Sequence, residues 1–380
     1  MYRKYIFRSF AASFSGALFF SSSFPLQAEP QYQTLISTVG NTPLIELRSL
    51  SKATGCRILA KCEQMNPGLS VKDRAALNIL NSLESSGKLT KDVVVVEATG
   101  GNTGVGLAVM CAAKGHRLVL TMPDYVSSDK VKVCEALGAK VILCPSDGVA
   151  FSDPRNFYQV GKALGESPGH VWGNQFESLL NRDAHYKGTG PEIWEEVKGK
   201  GGKVDAFVVA SGTGGTLAGV GAYLRSVDPT VKLYLIDPQG SSLASHYRSG
   251  ILAPSNPVNS LSPKGTTLEG IGIGRLTANY LSAPSLTGVL DGLDKEAVDM
   301  MVWLARQEGV FVGPSAALNV VGAVKVARLL GEGHTVVTVL CDSGSRYLSK
   351  HYDEQWREKN QLEVSSEVYK KEGGSLPFIS

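Results

Sequence analysis

The chain has 380 residues, of which 43% are hydrophobic and 19% charged, with 42 glycines, 17 prolines and a formal net charge of +3. This is the composition of a soluble enzyme with one large core or two ordinary ones, and it excludes a disordered or collagenous chain. The small charge, without a long basic run interleaved with aromatic residues, argues against nucleic acid as a partner.

The first stretch, MYRKYIFRSFAASFSGALFFSSSFPLQA, carries Arg3, Lys4 and Arg8 and has no acid before Glu29. Residues 1–30 are expected to be a targeting segment, removed in the mature protein. A secretory signal would place its apolar middle at Ala11–Phe24 and its cleavage after Ala28; a mitochondrial presequence would be basic, Ser-rich and acid-poor, as this stretch is. The expected location is mitochondrial, with a secreted or periplasmic location by signal peptide, or a cytoplasmic one, as alternatives. Serines interrupt the apolar stretch, so no membrane span is expected there, and nothing later is long and apolar enough for one.

The next informative segment is NPGLSVKDR, Asn66–Arg74. Asn-Pro-Gly is turn punctuation and Ser70 a good helix cap, so Lys72 is delivered to the first turn of the helix that follows. Short β-branched runs then alternate with Gly-rich loops and helical patterns: VVVVE, HRLVLTM with a helix through Lys130–Leu137, KVILC, AFVVA, KLYLID, VFV and TVVTVLC. Buried runs alternating with helices predict an α/β fold with open parallel sheets, helices on both faces and ligands at the carboxyl ends of the strands. Lys198–Lys203 and Ser255–Gly265 read as surface loops, and the polar tail after Leu362 as loosely ordered. The cysteines (Cys56, Cys62, Cys111, Cys134, Cys144 and Cys341) form no CxxC and no zinc-ligand spacing, and are expected to be reduced core thiols; no metal site is expected.

Two loops carry chemistry. Ser211–Thr216, SGTGGT, follows a strand and opens a helix, so its free N–H groups and the positive helix end suit a phosphate. A dinucleotide fingerprint fails there, although Asp237 ends the next strand, because Leu217 fills the last glycine position of G-x-G-x-x-G. Glu97–Gly104, EATGGNTG, is a second helix-opening loop, whose two hydroxyls and one amide suit a small carboxylate. A phosphate cradle, a positioned lysine and a carboxylate pocket together point to pyridoxal 5′-phosphate, whose aldehyde bonds a lysine.

NPGLSVKDR, EATGGNTG, NQF with TGPEIW, GTGGT, EGIGIGRLTANY and CDSGSRYLS occur in this order. From about Gln33 to Tyr352 the chain resembles a cysteine synthase (O-acetylserine sulfhydrylase) of the pyridoxal-phosphate fold type II family, close to cystathionine β-synthases. The resemblance implies two parallel-sheet domains of the tryptophan synthase β type with the cofactor in the cleft between them. Residues 31–76 and 181–352 would form the larger cofactor-binding domain, 77–180 a smaller mobile substrate domain, and 353–380 a C-terminal tail. It further implies that Lys72 bonds the cofactor and acts as the catalytic base, and that Asn102 meets the ring oxygen. Gly212, Thr213, Gly214, Gly215 and Thr216 would hold the phosphate, and Ser343 would meet the pyridine nitrogen, with Asp342 as its rival. Thr99, Gly100, Thr103 and Gln175 would grip the substrate carboxylate, and Gly270–Gly274 would line the site.

Three places depart from the family pattern: Gly100 stands where TSGNTG has serine, GPSAAL (Gly313–Leu318) replaces GISSGA, and Ser345 replaces the glutamate of DSGER. The reaction implied is β-replacement of O-acetylserine by sulfide through an aminoacrylate intermediate. The alternatives are a cystathionine β-synthase using serine and homocysteine, a serine or threonine dehydratase, and an inactive amino-acid-binding homologue. The 33 residues after Tyr347 are too few for a tandem regulatory module, which favours the simpler enzyme. A homodimer, and serine acetyltransferase as a partner, are further expectations from the resemblance.

Overall fold

Runs of β-branched residues supply the strands, and the glycines after them turn the chain into helices. A computed structural model describes residues 34–252, 265–370, 376 and 378–380. The targeting segment expected at 1–30 and nearly all of the loop expected at 255–265 lie outside the described residues. Among the described residues ten strands form two sheets: β1 (Leu44–Glu46), β2 (Arg57–Cys62), β3 (Val94–Ala98), β4 (Arg117–Pro123), β5 (Lys140–Cys144), β6 (His170–Trp172), β7 (Ala206–Val209), β8 (Lys232–Pro238), β9 (Gly288–Gly292) and β10 (Thr335–Leu340).

The six-stranded sheet has the order β1-β2-β10-β7-β8-β9, and the four-stranded sheet β5-β4-β3-β6. Every pairing is parallel except β1 with β2. Strand β10, TVVTVL, is buried along its whole length, as a central strand covered on both faces must be. Its register sets Val336 against Ile58 on one side and Ala206 on the other. One core packs between the six-stranded sheet and helices Asp294–Trp303 and Pro314–Leu330, a second covers the sheet's other face, and a third surrounds the four-stranded sheet.

Four helices position the site: α1 (Lys72–Ser85), α2 (Asn102–Lys114), α3 (Gly215–Val227) and α4 (Pro314–Leu330). Arg74, 6% exposed, fixes the start of α1. Its guanidinium pairs with both Glu192 oxygens, at 2.6 and 2.7 Å, and with both Glu63 oxygens, at 2.7 Å each. Forked pairs of this kind fix orientation, whatever their net stabilisation.

Two expectations need correction. VFV is not a strand: only Val312 pairs, in an isolated bridge with Ser343 rather than along a strand of the six-stranded sheet. The chain after Leu362 is not loosely ordered where it is described. Val368, Leu376 and Ile379 are buried in the first core, and the Ser380 N–H donates to Glu296 at 2.9 Å. Those apolar side chains outweigh the polar composition around them. The six cysteines are all free thiols, five of them buried. Among the described residues no helix is long and apolar enough to cross a membrane.

Candidate active site

The turn before α1 is stitched to the end of β10. The Val71 N–H donates to the Cys341 carbonyl at 2.8 Å, Ser70 forms an isolated bridge with Asp342, and the Ser343 N–H reaches the Leu69 carbonyl at 3.4 Å. Leu69 adopts φ +59°, a costly conformation for a branched residue that the surrounding bonds enforce. Inside the turn, the Gly68 N–H donates to the Asp73 carboxylate and Arg346 donates to the Gly68 carbonyl. Burial pushes the Asp73 carboxyl up to about 7, against the Gly68 N–H and the nearby Arg346. Ser70 assists the helix as expected, its hydroxyl accepting the Lys72 N–H at 3.3 Å, although Val71 holds the cap position.

Lys72 is half-buried, and its amine has no hydrogen-bond or ion-pair partner among the described residues. Desolvation lowers its pKa, while Cys341 and Asp342 pull the other way. A lysine held unpaired and partly desolvated is chemically the reverse of a solvated surface lysine.

Helix α3 opens on the Ser211–Thr216 loop at the carboxyl end of β7. The N–H groups of Gly212, Thr213, Gly214 and Thr216 find no acceptor among the described residues, and the buried Ser211 hydroxyl is likewise unpartnered. Close packing shapes this cradle: a Cβ on Gly212 would fall on the Gly270 carbonyl oxygen, and Gly214 sits at φ +88° with Tyr280 Cα 2.5 Å from where its Cβ would be. Gly270, at φ +81°, is thereby pressed against the loop, and the Gly272 N–H donates to the Ser211 carbonyl at 2.9 Å. The Thr216 hydroxyl lies 3.3 Å from His185, a ring kept neutral by burial and then by Arg74 and Lys72. Asp237, the acid that a dinucleotide site would use, instead accepts the Ala244 N–H at 2.7 Å.

Helix α2 opens on the second loop, at the carboxyl end of β3. Thr103 donates to Gln175 Oε1 at 2.5 Å, Gln175 Nε2 donates to the Ala98 carbonyl at 3.0 Å, and the Gly101 N–H donates to Thr99 Oγ1 at 3.1 Å. Beneath them Glu97 is fully buried and accepts the N–H groups of Gln175 and Ala98. Burial pushes its carboxyl up to about 8 despite those two bonds. Gly100 has an ordinary backbone conformation; a Cβ there would meet the Pro123 ring at 3.3 Å and Val126 at 3.4 Å.

Asn102 links the two sheets, donating to Asp342 Oδ2 at 2.6 Å and accepting from Arg346. Tyr347 donates to the same Asp342 oxygen at 2.6 Å. Burial raises the Asp342 pKa, opposed by Tyr347, Asn102, Arg346 and Lys130, and its Oδ1 has no partner among the described residues. The Ser343 hydroxyl accepts the Ser345 N–H at 3.3 Å and lies 3.0 Å from the Ser345 hydroxyl, capping its own turn. Ser315, at the start of α4, is 4% exposed and close enough to bond the Cys341 thiol, the group that also neighbours the Lys72 amine.

The structure thus brings Lys72, Asn102, Thr99, Thr103, Gln175, the Gly212–Thr216 loop and Gly270 to one place between the carboxyl ends of the two sheets. Sequence reasoning missed Ser315 and Asn181; the serine in GPSAAL was a signal for the first, and an asparagine within a helical pattern for the second. The donor set fits pyridoxal phosphate: unpartnered N–H groups for a phosphate and an unpaired lysine for an aldehyde.

Comparison with known proteins agrees. The model of the pyridoxal-phosphate dependent enzyme family matches residues 35–342. A cysteine synthase of Dictyostelium discoideum is 45% identical over 334 residues, 87% of each chain. A putative mitochondrial cysteine synthase of Saccharomyces cerevisiae is 36% identical over 86% of this chain and 84% of its own. The crystal structure of an O-acetylserine dependent cystathionine beta-synthase from Helicobacter pylori superposes with a TM-score of 0.73 at 30% identity, covering 84% of this chain and 98% of that one. The chain belongs to the pyridoxal-phosphate dependent enzyme family, as a fold type II member of the cysteine synthase group.

Proposed function

We propose that the chain makes L-cysteine from O-acetyl-L-serine and sulfide by pyridoxal-phosphate-dependent β-replacement, releasing acetate. The observation that carries this is the unpaired Lys72 amine, set between a loop of free N–H groups and a threonine–glutamine pair. Pyridoxal phosphate, when bound, supplies an aldehyde for an amine and a ring that draws electrons from an amino acid's α-carbon. Gly212, Thr213, Gly214, Gly215 and Thr216 would hold its phosphate, Asn102 would meet its ring oxygen, and Gly270 would wall the site. Thr99, Gly100, Thr103 and Gln175 hold the substrate carboxylate. Lys72 would take the substrate's α-proton; its lowered pKa suits a base.

A hydroxyl facing the ring nitrogen would leave it unprotonated, which favours loss of a β-leaving group. Ser343 and Ser315 are the two candidates. Ser315 has the stronger support, because it is 4% exposed and neighbours Cys341, the group beside the Lys72 amine. An aspartate at the true partner should slow acetate release on the order of tenfold, and one at the other should not.

The test of the function is the visible spectrum of the purified protein with pyridoxal phosphate, followed by product analysis. Cysteine and acetate from O-acetylserine and sulfide support the reading; ammonia release alone points to a dehydratase. Cystathionine formation from homocysteine is the second reading, favoured by the missing side chain at Gly100 and by the likeness to the Helicobacter pylori enzyme. Homodimerisation and binding to serine acetyltransferase are part of the proposal, tested by light scattering and co-purification. So is a mitochondrial location, supported by the yeast relative's name and the basic, acid-poor start. N-terminal sequencing of native protein decides whether cleavage occurs.

A further inference from the structure

Asn181 lies in the short helix Leu180–Ala184, between the two loops, and is 2% exposed. Its side-chain nitrogen donates to the Gln175 carbonyl at 2.9 Å and to the Thr213 hydroxyl oxygen at 2.9 Å. A main-chain carbonyl only accepts, so the amide orientation is fixed by Gln175 and both bonds are donations from Asn181. The Thr213 oxygen also accepts the Gly215 N–H at 3.4 Å, and the Thr213 carbonyl is held by the Thr277 hydroxyl at 2.6 Å. A hydroxyl has two acceptor lone pairs and one proton. With both lone pairs engaged, the Thr213 proton is left to donate, and no acceptor for it stands among the described residues.

We infer that Asn181 is a positioning residue with two effects: it turns the Thr213 hydroxyl into a dedicated donor toward the phosphate, and, together with Asn279, whose Nδ2 donates to the same carbonyl at 3.1 Å, it holds the Gln175 main chain from which the carboxylate grip is built. The inference rests on the pyridoxal-phosphate reading above and deepens it. Phosphate binding and carboxylate binding are coupled through one amide, with no charge involved. Gly215 belongs to the same arrangement, because a Cβ there would fall on Asn181 Oδ1 and push the amide away.

Asn181→Asp keeps the shape and replaces the donor by an acceptor. The Thr213 hydroxyl would then donate to the new carboxylate and be lost to the phosphate, beside which a second negative charge now lies. Fluorescence titration of the apoprotein with pyridoxal phosphate is expected to show affinity lower by about tenfold or more, the scale of one charge-assisted hydrogen bond. The phosphorus-31 resonance of the bound phosphate should shift, and the KM for O-acetylserine should rise more than kcat falls. Thr213→Val should weaken cofactor binding to a similar degree while leaving that KM within about twofold, less than one hydrogen bond's worth. If the two residues act through one bond, the double variant binds the cofactor no worse than the weaker single variant; additive losses overturn the inference. Should Asn181→Asp not fold, Asn181→Ser, which can donate to only one of the two oxygens, is expected to separate the effects, changing either cofactor affinity or KM. A variant that binds cofactor and substrate like the wild type overturns the inference alone. A wild-type chain that takes up no pyridoxal phosphate overturns the functional reading, and the inference with it.

Discussion

At Gly212 and Gly215 of the phosphate-side loop a Cβ would land on a backbone or amide oxygen, whereas at Gly100 of the carboxylate-side loop it would only press on the Pro123 ring, and at Gly101 it would meet nothing within 4 Å. Both loops follow a strand, open a helix and are rich in glycine, so the sequence alone makes them look alike. Their anchors differ as well. Beneath the phosphate loop are neutral groups, Asn181 and Thr277; beneath the carboxylate loop is a buried carboxyl, Glu97. The Ser211–Thr216 loop is packed tightly at Gly212 and Gly215, whereas the Glu97–Gly104 loop leaves space at Gly100 and Gly101.

The largest expected effect sits between the two loops. Lys72→Ala should abolish turnover and the visible absorbance that depends on lysine bonding the cofactor, while the far-ultraviolet circular dichroism stays native. A yellow, active variant would remove Lys72 from the site. Next, Gly212→Ala should cost about 1–3 kcal/mol of overpacking, expressed as weaker phosphate binding. Pyridoxal-phosphate titration reads it, and unchanged affinity would mean that the loop is softer than its packing implies.

The third expectation concerns pH and only the carboxylate side. The folded Glu97 carboxyl titrates at about 8 because of burial, above its ordinary 4.5. The folded chain therefore keeps a proton that the unfolded chain releases across this window, and this contribution to stability is present below pH 4.5 and lost as pH rises through 8. Whatever Glu97→Gln costs at a fixed pH, the wild-type Tm minus the variant Tm should fall by roughly 2–6 °C between pH 4.5 and 8. A flat difference would show that Glu97 is ionised in the fold. The smallest effect is expected at Gly100→Ser. A regained donor is worth about 0.5–1.5 kcal/mol toward O-acetylserine, part of it offset by the Pro123 contact. Steady-state kinetics with sulfide and with homocysteine would detect it, and no change in either would make Gly100 only a tolerated turn residue.

Much of this site was legible because its chemistry is local. Lys72 follows a turn whose residues admit few conformations, and both loops join a buried strand to a helix, so strand periodicity and glycine placement locate them. The features that escaped depend on contacts distant in sequence. Strands β1, β6 and β9 have three to five residues each, and none shows an alternation of buried and exposed positions that would mark it. Ser315 and Ser343 are equivalent as letters. Only packing against Cys341 on one side and Ser345 on the other distinguishes them. Asn181 reads as an ordinary polar residue until Gln175 and Thr213 are brought to it from either side. The C-terminal segment misled for a compositional reason: three buried apolar residues, Val368, Leu376 and Ile379, are outnumbered by their polar neighbours.

The position of β10 has a consequence for how the protein is made. The four-stranded sheet uses one continuous stretch, from Val94 to Trp172, and contains all its own partners. The six-stranded sheet joins β2 to β7 only through β10, which ends at Leu340. On a ribosome that adds about 5–20 residues per second, β1, β2 and the lysine turn wait many seconds for the strand that completes their sheet. During that interval the exposed edge of β2 is open to wrong pairings. Lys72 acquires its neighbours Cys341 and Asp342 only when the last strand arrives, so the surroundings of its amine are completed at the end of synthesis, long after the Glu97–Gly104 loop.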